Sequence, residues 1–95
     1  GMLFTWDGIM NMKNRKWADD FSPLDPKGTS FVDHTYTKAY VRHLFVAGEL
    51  FAGQIASEHN LAFYLDLVRE ARKHIKAGDF AKWKDETVRR ITTRL

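Results

Sequence analysis

One run of residues limits what this chain can become. From Leu61 to Ala77 it reads LAFYLDLVREARKHIKA, and Leu61, Tyr64, Leu65, Val68, Ala71 and Ile75 recur at three- and four-residue steps. That spacing sets an apolar stripe along one side of an α-helix. Asp66, Arg69, Glu70, Lys73 and Lys76 fall mostly on the opposite side. Ser57 or Asn60 can cap the start, because their side-chain oxygens accept from free backbone N–H groups. Lys73, His74 and Lys76 load the last turn, where the helix dipole favours cations, and Gly78 offers a left-handed exit. The rest of the chain is expected to cover this stripe.

The chain has 95 residues, 44% of them hydrophobic and 14% aromatic. That suffices for one small domain with a core, of marginal stability without a staple or a partner. There is no cysteine, so disulfides and thiolate metal sites are excluded. A formal charge of +3 permits contact with nucleic acid without requiring it. No apolar run approaches membrane-spanning length, and a soluble cytoplasmic protein is the expectation.

In chain order, Leu3–Trp6 and Ile9–Met12 flank Asp7–Gly8. Asp-Gly between short apolar runs predicts a type I′ hairpin. Lys13–Lys16 (KNRK) reads as a solvated strand exit, with phosphate contact as the alternative. Residues 18–30, ADDFSPLDPKGTS, form a loop that is long for so small a domain. Phe21, Leu24 and Phe31 are candidate anchors for it. Asp33 or Thr35 is expected to cap a helix ending near Ala47, apolar on two sides. Tyr36, Tyr40, Leu44 and Ala47 share one face with His43 beside them, and Val41 with Phe45 forms a second strip. Gly48 and Gly53 predict a short helix or a bend around Leu50–Ala52. Asp79 should cap a last helix carrying Phe80, Trp83, Val88, Ile91 and Leu95. The fold class expected is α+β and helix-dominated: an N-terminal β-hairpin, a long loop and three to four helices in one domain. Its parts are the hairpin and basic exit (1–16), the loop region (17–33) and a helical region (34–95).

No catalytic constellation is recognisable. His34, His43, His59 and His74 lack close metal-ligand spacing and read as surface or satisfied core histidines. Asp19, Asp20 and Asp25 read as loop solvation and turn formers. Trp6, Trp17, Tyr36 and Tyr40 could stack on RNA bases, although at this size the core claims them first.

Four strings, LFTWDGIMNMKN, DDFSPLDP, YTKAYVRHLFVAGEL and EHNLAFYLDLVREAR, resemble in sequence and order the C-terminal part of tRNA-guanine transglycosylase (queuine tRNA-ribosyltransferase). The likeness covers nearly the whole chain and weakens after about Gly78. Bacterial members exchange the wobble guanine of tRNA for a 7-deazaguanine precursor during queuosine biosynthesis. The resemblance implies the C-terminal piece of a TIM-barrel enzyme, lacking the upstream catalytic aspartates and the glycine-rich base-binding loop. This segment alone should therefore have no transglycosylase activity. In that family C-x-C-x-x-C and a later histidine hold zinc. Here those positions fall on Gly28, Ser30, Asp33 and His59, so no structural zinc and no other cofactor are expected. Asp33 and His59 are expected to pair instead, with Phe31 and Val32 packing inward. The family's dimer interface maps to Tyr36, Tyr40 and His43. Lys13, Lys16 and Arg42 are the candidate contacts to an RNA backbone. The partners implied are a second copy and, in the full enzyme, tRNA. The rival readings are a free-standing helical homo-oligomeric module and a small RNA-binding accessory subunit. Oligomerisation should hide the hairpin and the stripe, which the barrel would otherwise cover.

Overall fold

The computed structural model describes all residues from Gly1 to Leu95. Strands β1 (Met2–Thr5) and β2 (Gly8–Asn11) form an antiparallel ribbon in which Leu3 faces Met10 and Phe4 faces Ile9. A single 3-10 turn, Arg15–Trp17, precedes the loop. Helices α1 (Phe31–Thr35), α2 (Lys38–Val46), α3 (Leu50–Ala77) and α4 (Phe80–Ile91) follow. The α+β, helix-dominated class is the one expected.

The hairpin turn differs from expectation. Its central residues are Trp6 and Asp7, neither with positive φ, so it is not a type I′ turn about Asp7–Gly8. The Thr5 hydroxyl decides this: it accepts from the N–H groups of Asp7 (3.2 Å) and Gly8 (3.1 Å) and donates to the Gly8 carbonyl (2.7 Å). Gly8 is required by closeness as well as by its φ of 145°, since a Cβ there would lie 2.3 Å from the Thr93 carbonyl oxygen. The tail runs beside β2, with Ile9 N–H donating to Thr93 O (2.7 Å) and Leu95 N–H to Ile9 O (3.0 Å).

The helix expected up to Ala47 is broken in two. Ser30 caps α1 and Thr37 caps α2, rather than Asp33 or Thr35. Tyr36 between them is extended, and its carbonyl accepts from Leu24 N–H at 2.9 Å. Lys38 N–H bonds Ser22 O and Ala39 N–H bonds Asp20 O, so backbone pairing ties the long loop to the α1–α2 junction. Leu24 is fully buried beneath it, whereas Phe21 and Phe31 are exposed rather than part of the core; of the pair expected to turn inward, only Val32 does.

Helix α3 is continuous, about 42 Å long at 1.5 Å per residue, and sets the 46 Å long axis. Gly48, at φ 72°, makes the bend, while Gly53 sits inside α3 with nothing near it. Neither Ser57 nor Asn60 is a cap; both lie inside the helix. Its inward line is Ala52, Ile55, His59 and Phe63. Leu61, Tyr64, Leu65 and Ile75 face solvent, and Val68 and Ala71 turn toward α4. The core therefore sits at the ribbon end, where Leu3, Met10 and Met12 meet Trp17, Leu24, Val32, Val41, Leu44, Ala52 and Ile55. Asp79 makes no side-chain cap of α4 and bonds His74 Nδ1 at 2.8 Å instead. No helix is long and apolar enough to cross a membrane.

Candidate functional site

Where α1, α3, β1 and the loop converge, three ionisable side chains are buried together. Asp25, Asp33 and His59 each offer a donor atom within 4.8 Å of the others. Asp33 is the third residue of α1. Ser30–Phe31–Val32–Asp33 forms a capping box: Ser30 Oγ accepts from Val32 N–H (3.4 Å), and Asp33 Oδ2 accepts from Ser30 N–H (3.1 Å). The other carboxylate oxygen, Oδ1, meets His59 Nδ1 at 2.5 Å. His59 comes from the inward line of α3, and its Nε2 donates to the Phe4 carbonyl of β1 at 2.7 Å. Beside it Asn60 accepts from Phe4 N–H and donates to Met2 O. One histidine thus joins the loop helix, the long helix and the ribbon.

The two ring nitrogens of His59 face a carboxylate oxygen and a carbonyl oxygen, an arrangement the imidazolium form satisfies at both ends. Burial by itself would lower the His59 pKa. The hydrogen bond and charge of Asp33, with help from the Phe4 carbonyl and Asp25, outweigh it and raise the pKa above 6.5. Burial also raises the carboxyl of Asp25 above its ordinary 3.8, although Lys27 N–H donates to its Oδ1. Asp25 Oδ2 is buried without a partner. Asp25 is thus buried rather than solvating, but it is a turn former as expected, its Oδ1 accepting from Lys27 N–H (3.1 Å) and its carbonyl from Gly28 N–H (3.0 Å). Asp20 is a turn former, accepting from Ser22 N–H and Oγ, which lowers its pKa.

These shifts set a pH dependence. A group whose folded pKa is raised stabilises fully below its unfolded value, and the contribution fades as pH rises through the folded pKa. For His59 that loss begins above about pH 6.5, and Asp25 acts in the same direction from its lower starting point. Urea midpoints should therefore fall as pH rises from 6.5, and a His59→Gln variant should lose most of that slope.

The other candidate residues lie elsewhere. Tyr36 and Tyr40 stack at 5.5 Å between ring centroids, and Phe51 meets Tyr36 edge-on at 5.7 Å. Tyr40 and His43 are exposed and Tyr36 is half-buried. Lys13 and Lys16 are exposed, and Arg42 is drawn to them by a bond from its Nε to the Asn14 carbonyl (3.1 Å). Lys16 also lies over the Trp17 ring. Of the stacking candidates, Trp17 is core and Trp6 is half-buried against Phe63. His34 holds the Gly28 carbonyl, and His74 stacks on Trp83. Sequence reasoning missed the burial of Asp25 beside Asp33 and His59 and the ribbon contact of Asn60. Neither lies in a periodic pattern that would mark it, since only the tertiary fold buries Asp25 and brings Asn60 against the ribbon.

The sequence model of the family described as queuine tRNA-ribosyltransferase matches residues 1–93. A queuine tRNA-ribosyltransferase of Aquifex aeolicus is 40% identical over 95 residues, all of this chain and 25% of the relative. One of Nitratidesulfovibrio vulgaris is 48% identical over 84 residues, 88% of this chain and 22% of its own length. For Caulobacter vibrioides the figures are 42% over 84 residues, 88% and 23%. The chain spans about a quarter of the length of these curated relatives.

Proposed function

The chain belongs to the queuine tRNA-ribosyltransferase family, and we propose that it serves as the C-terminal dimerisation and tRNA-contact segment of a tRNA-guanine transglycosylase. The observation that carries this reading is a likeness spanning the whole chain yet only a quarter of the relative. The implied setting is a TIM-barrel enzyme that works on tRNA in the cytoplasm. Catalytic groups of the barrel are not among these residues, and an active site built from several strand ends needs most of the barrel. The purified chain alone is expected to exchange no labelled guanine into tRNA; measurable exchange would overturn the proposal.

Two surfaces suit the two docking roles. The Tyr36–Tyr40 stack with Phe51 and His43 is the kind of aromatic patch that dominates interfaces. Tyr40→Asp should weaken self-association about tenfold or more, measured by sedimentation equilibrium. Lys13, Lys16 and Arg42 form a basic edge for phosphates. Binding of an anticodon stem-loop should weaken with salt, and each of Lys13→Ala and Lys16→Ala should reduce the salt slope by roughly 1.

A free-standing helical oligomer is the second reading. It is favoured by the exposed Leu61, Tyr64, Leu65 and Ile75 of α3 and by Leu50, which is 89% exposed. Salt-independent self-association without RNA binding would select it. A clean monomer at high concentration in light scattering would count against both.

A further inference from the structure

The family's metal and this chain's side chains disagree. Zinc is implied at positions 28, 30, 33 and 59, but Gly28 has no donor atom and the Ser30 hydroxyl is committed to Val32 N–H. Asp33 and His59 remain, with Asp25 in reach. Two donors on one tetrahedral zinc, each at about 2.0–2.2 Å, stand roughly 3.4 Å from each other. Asp33 Oδ1 and His59 Nδ1 are bonded to each other at 2.5 Å, and even with Asp25 the site offers three donors and no thiolate where a closed structural zinc takes four ligands.

Gly28 supplies an independent observation. A Cβ there would lie 2.0 Å from Asp33 Oδ2 and 2.3 Å from Asp33 Cγ. Its φ lies outside the left-handed range, so what demands glycine is space rather than backbone conformation. The Asp33 carboxylate occupies the volume that any side chain at position 28 would need. A side chain at 28 and the Asp33 carboxylate in its present position exclude each other.

We infer that this chain has exchanged its metal for a carboxylate. Asp33 stands where the ion and the thiol of position 28 would be, and it fastens α1 to α3 and β1 through His59 with a proton in place of the metal. The S-x-x-D capping box occupies the positions of a C-x-x-C pair, so the same loop end is closed by hydrogen bonds. Asp25 Oδ2, buried and unpartnered, is a donor that a hard cation could recruit beside Asp33 and His59, so the test covers such cations too.

Elemental analysis of the purified chain should find zinc, manganese and iron far below one per molecule. Its melting temperature should not move with EDTA or with added Zn²⁺ or Mn²⁺. Gly28→Ala should lower the melting temperature in the native background and have little effect when combined with Asp33→Ala. The triple variant Gly28→Cys, Ser30→Cys, Asp33→Cys should take up one zinc and become EDTA-sensitive. Stoichiometric metal in the native chain, stripped by EDTA with loss of stability, would overturn the inference. So would a Gly28→Ala loss of equal size in both backgrounds, or a triple variant that gains no zinc. Should Asp33→Ala fail to fold, the native chain's metal content and melting behaviour still decide.

Discussion

His59→Ala is expected to destabilise the chain by about 3–5 kcal/mol, the range found when one partner of a buried ion pair is removed. Both partners here are 1% exposed, so solvent cannot take over the orphaned Asp33 charge. The substitution also frees the Phe4 carbonyl and leaves a cavity under β1. Small domains hold only about 5–15 kcal/mol in total, so much of that margin would go. Urea denaturation followed by tryptophan fluorescence measures it, with Trp17 as a core reporter. A loss below about 1 kcal/mol, the size of an exposed pair, would show that the cluster is not buried as described. His59→Gln should be milder, since an amide can still reach one of the two acceptors.

Gly8→Ala should have the next largest effect. Its Cβ would press on the Thr93 carbonyl, and its φ of 145° disfavours any side chain. Overpacking of this kind costs about 1–3 kcal/mol. The damage should be local: hydrogen exchange should show lost protection at the Ile9 and Leu95 amides, the two that hold the tail to β2. Protection at Val41 and Ile55 should change much less. Uniform loss across the chain would contradict that picture.

The class of fold was legible because its cues are local. Apolar runs around a turn dipeptide announced the ribbon, and three- and four-residue spacing announced α3 and α4. The errors lie where tertiary contacts overrule local propensity. Gly53 argued for a bend, yet burial of Ala52 and Ile55 on either side carries the helix through it. That hid the inward line Ala52–Ile55–His59–Phe63, while the more conspicuous stripe from Leu61 to Ile75 proved largely solvent-facing. The break at Tyr36 depends on its carbonyl pairing with Leu24, which no helical pattern reveals. In the site, the Asp33–His59 pair could be anticipated because the family resemblance aligned both with ligand positions. Asp25 carried no such mark, and the exclusion between Gly28 and Asp33 is a matter of packed volume.

A two-stranded ribbon presents two rows of free backbone groups, either of which can template addition of a foreign strand. Here Phe4 and Ile9 face each other and turn their N–H and C=O outward, and both rows are sealed. His59 and Asn60 cover the Phe4 side, and the tail covers the Ile9 side. The seals lie far from the ribbon in sequence; the Arg90 bond to the Trp6 carbonyl spans 84 positions. They can close only after the helices have assembled. Until then the nascent ribbon is the part of this molecule most exposed to aggregation.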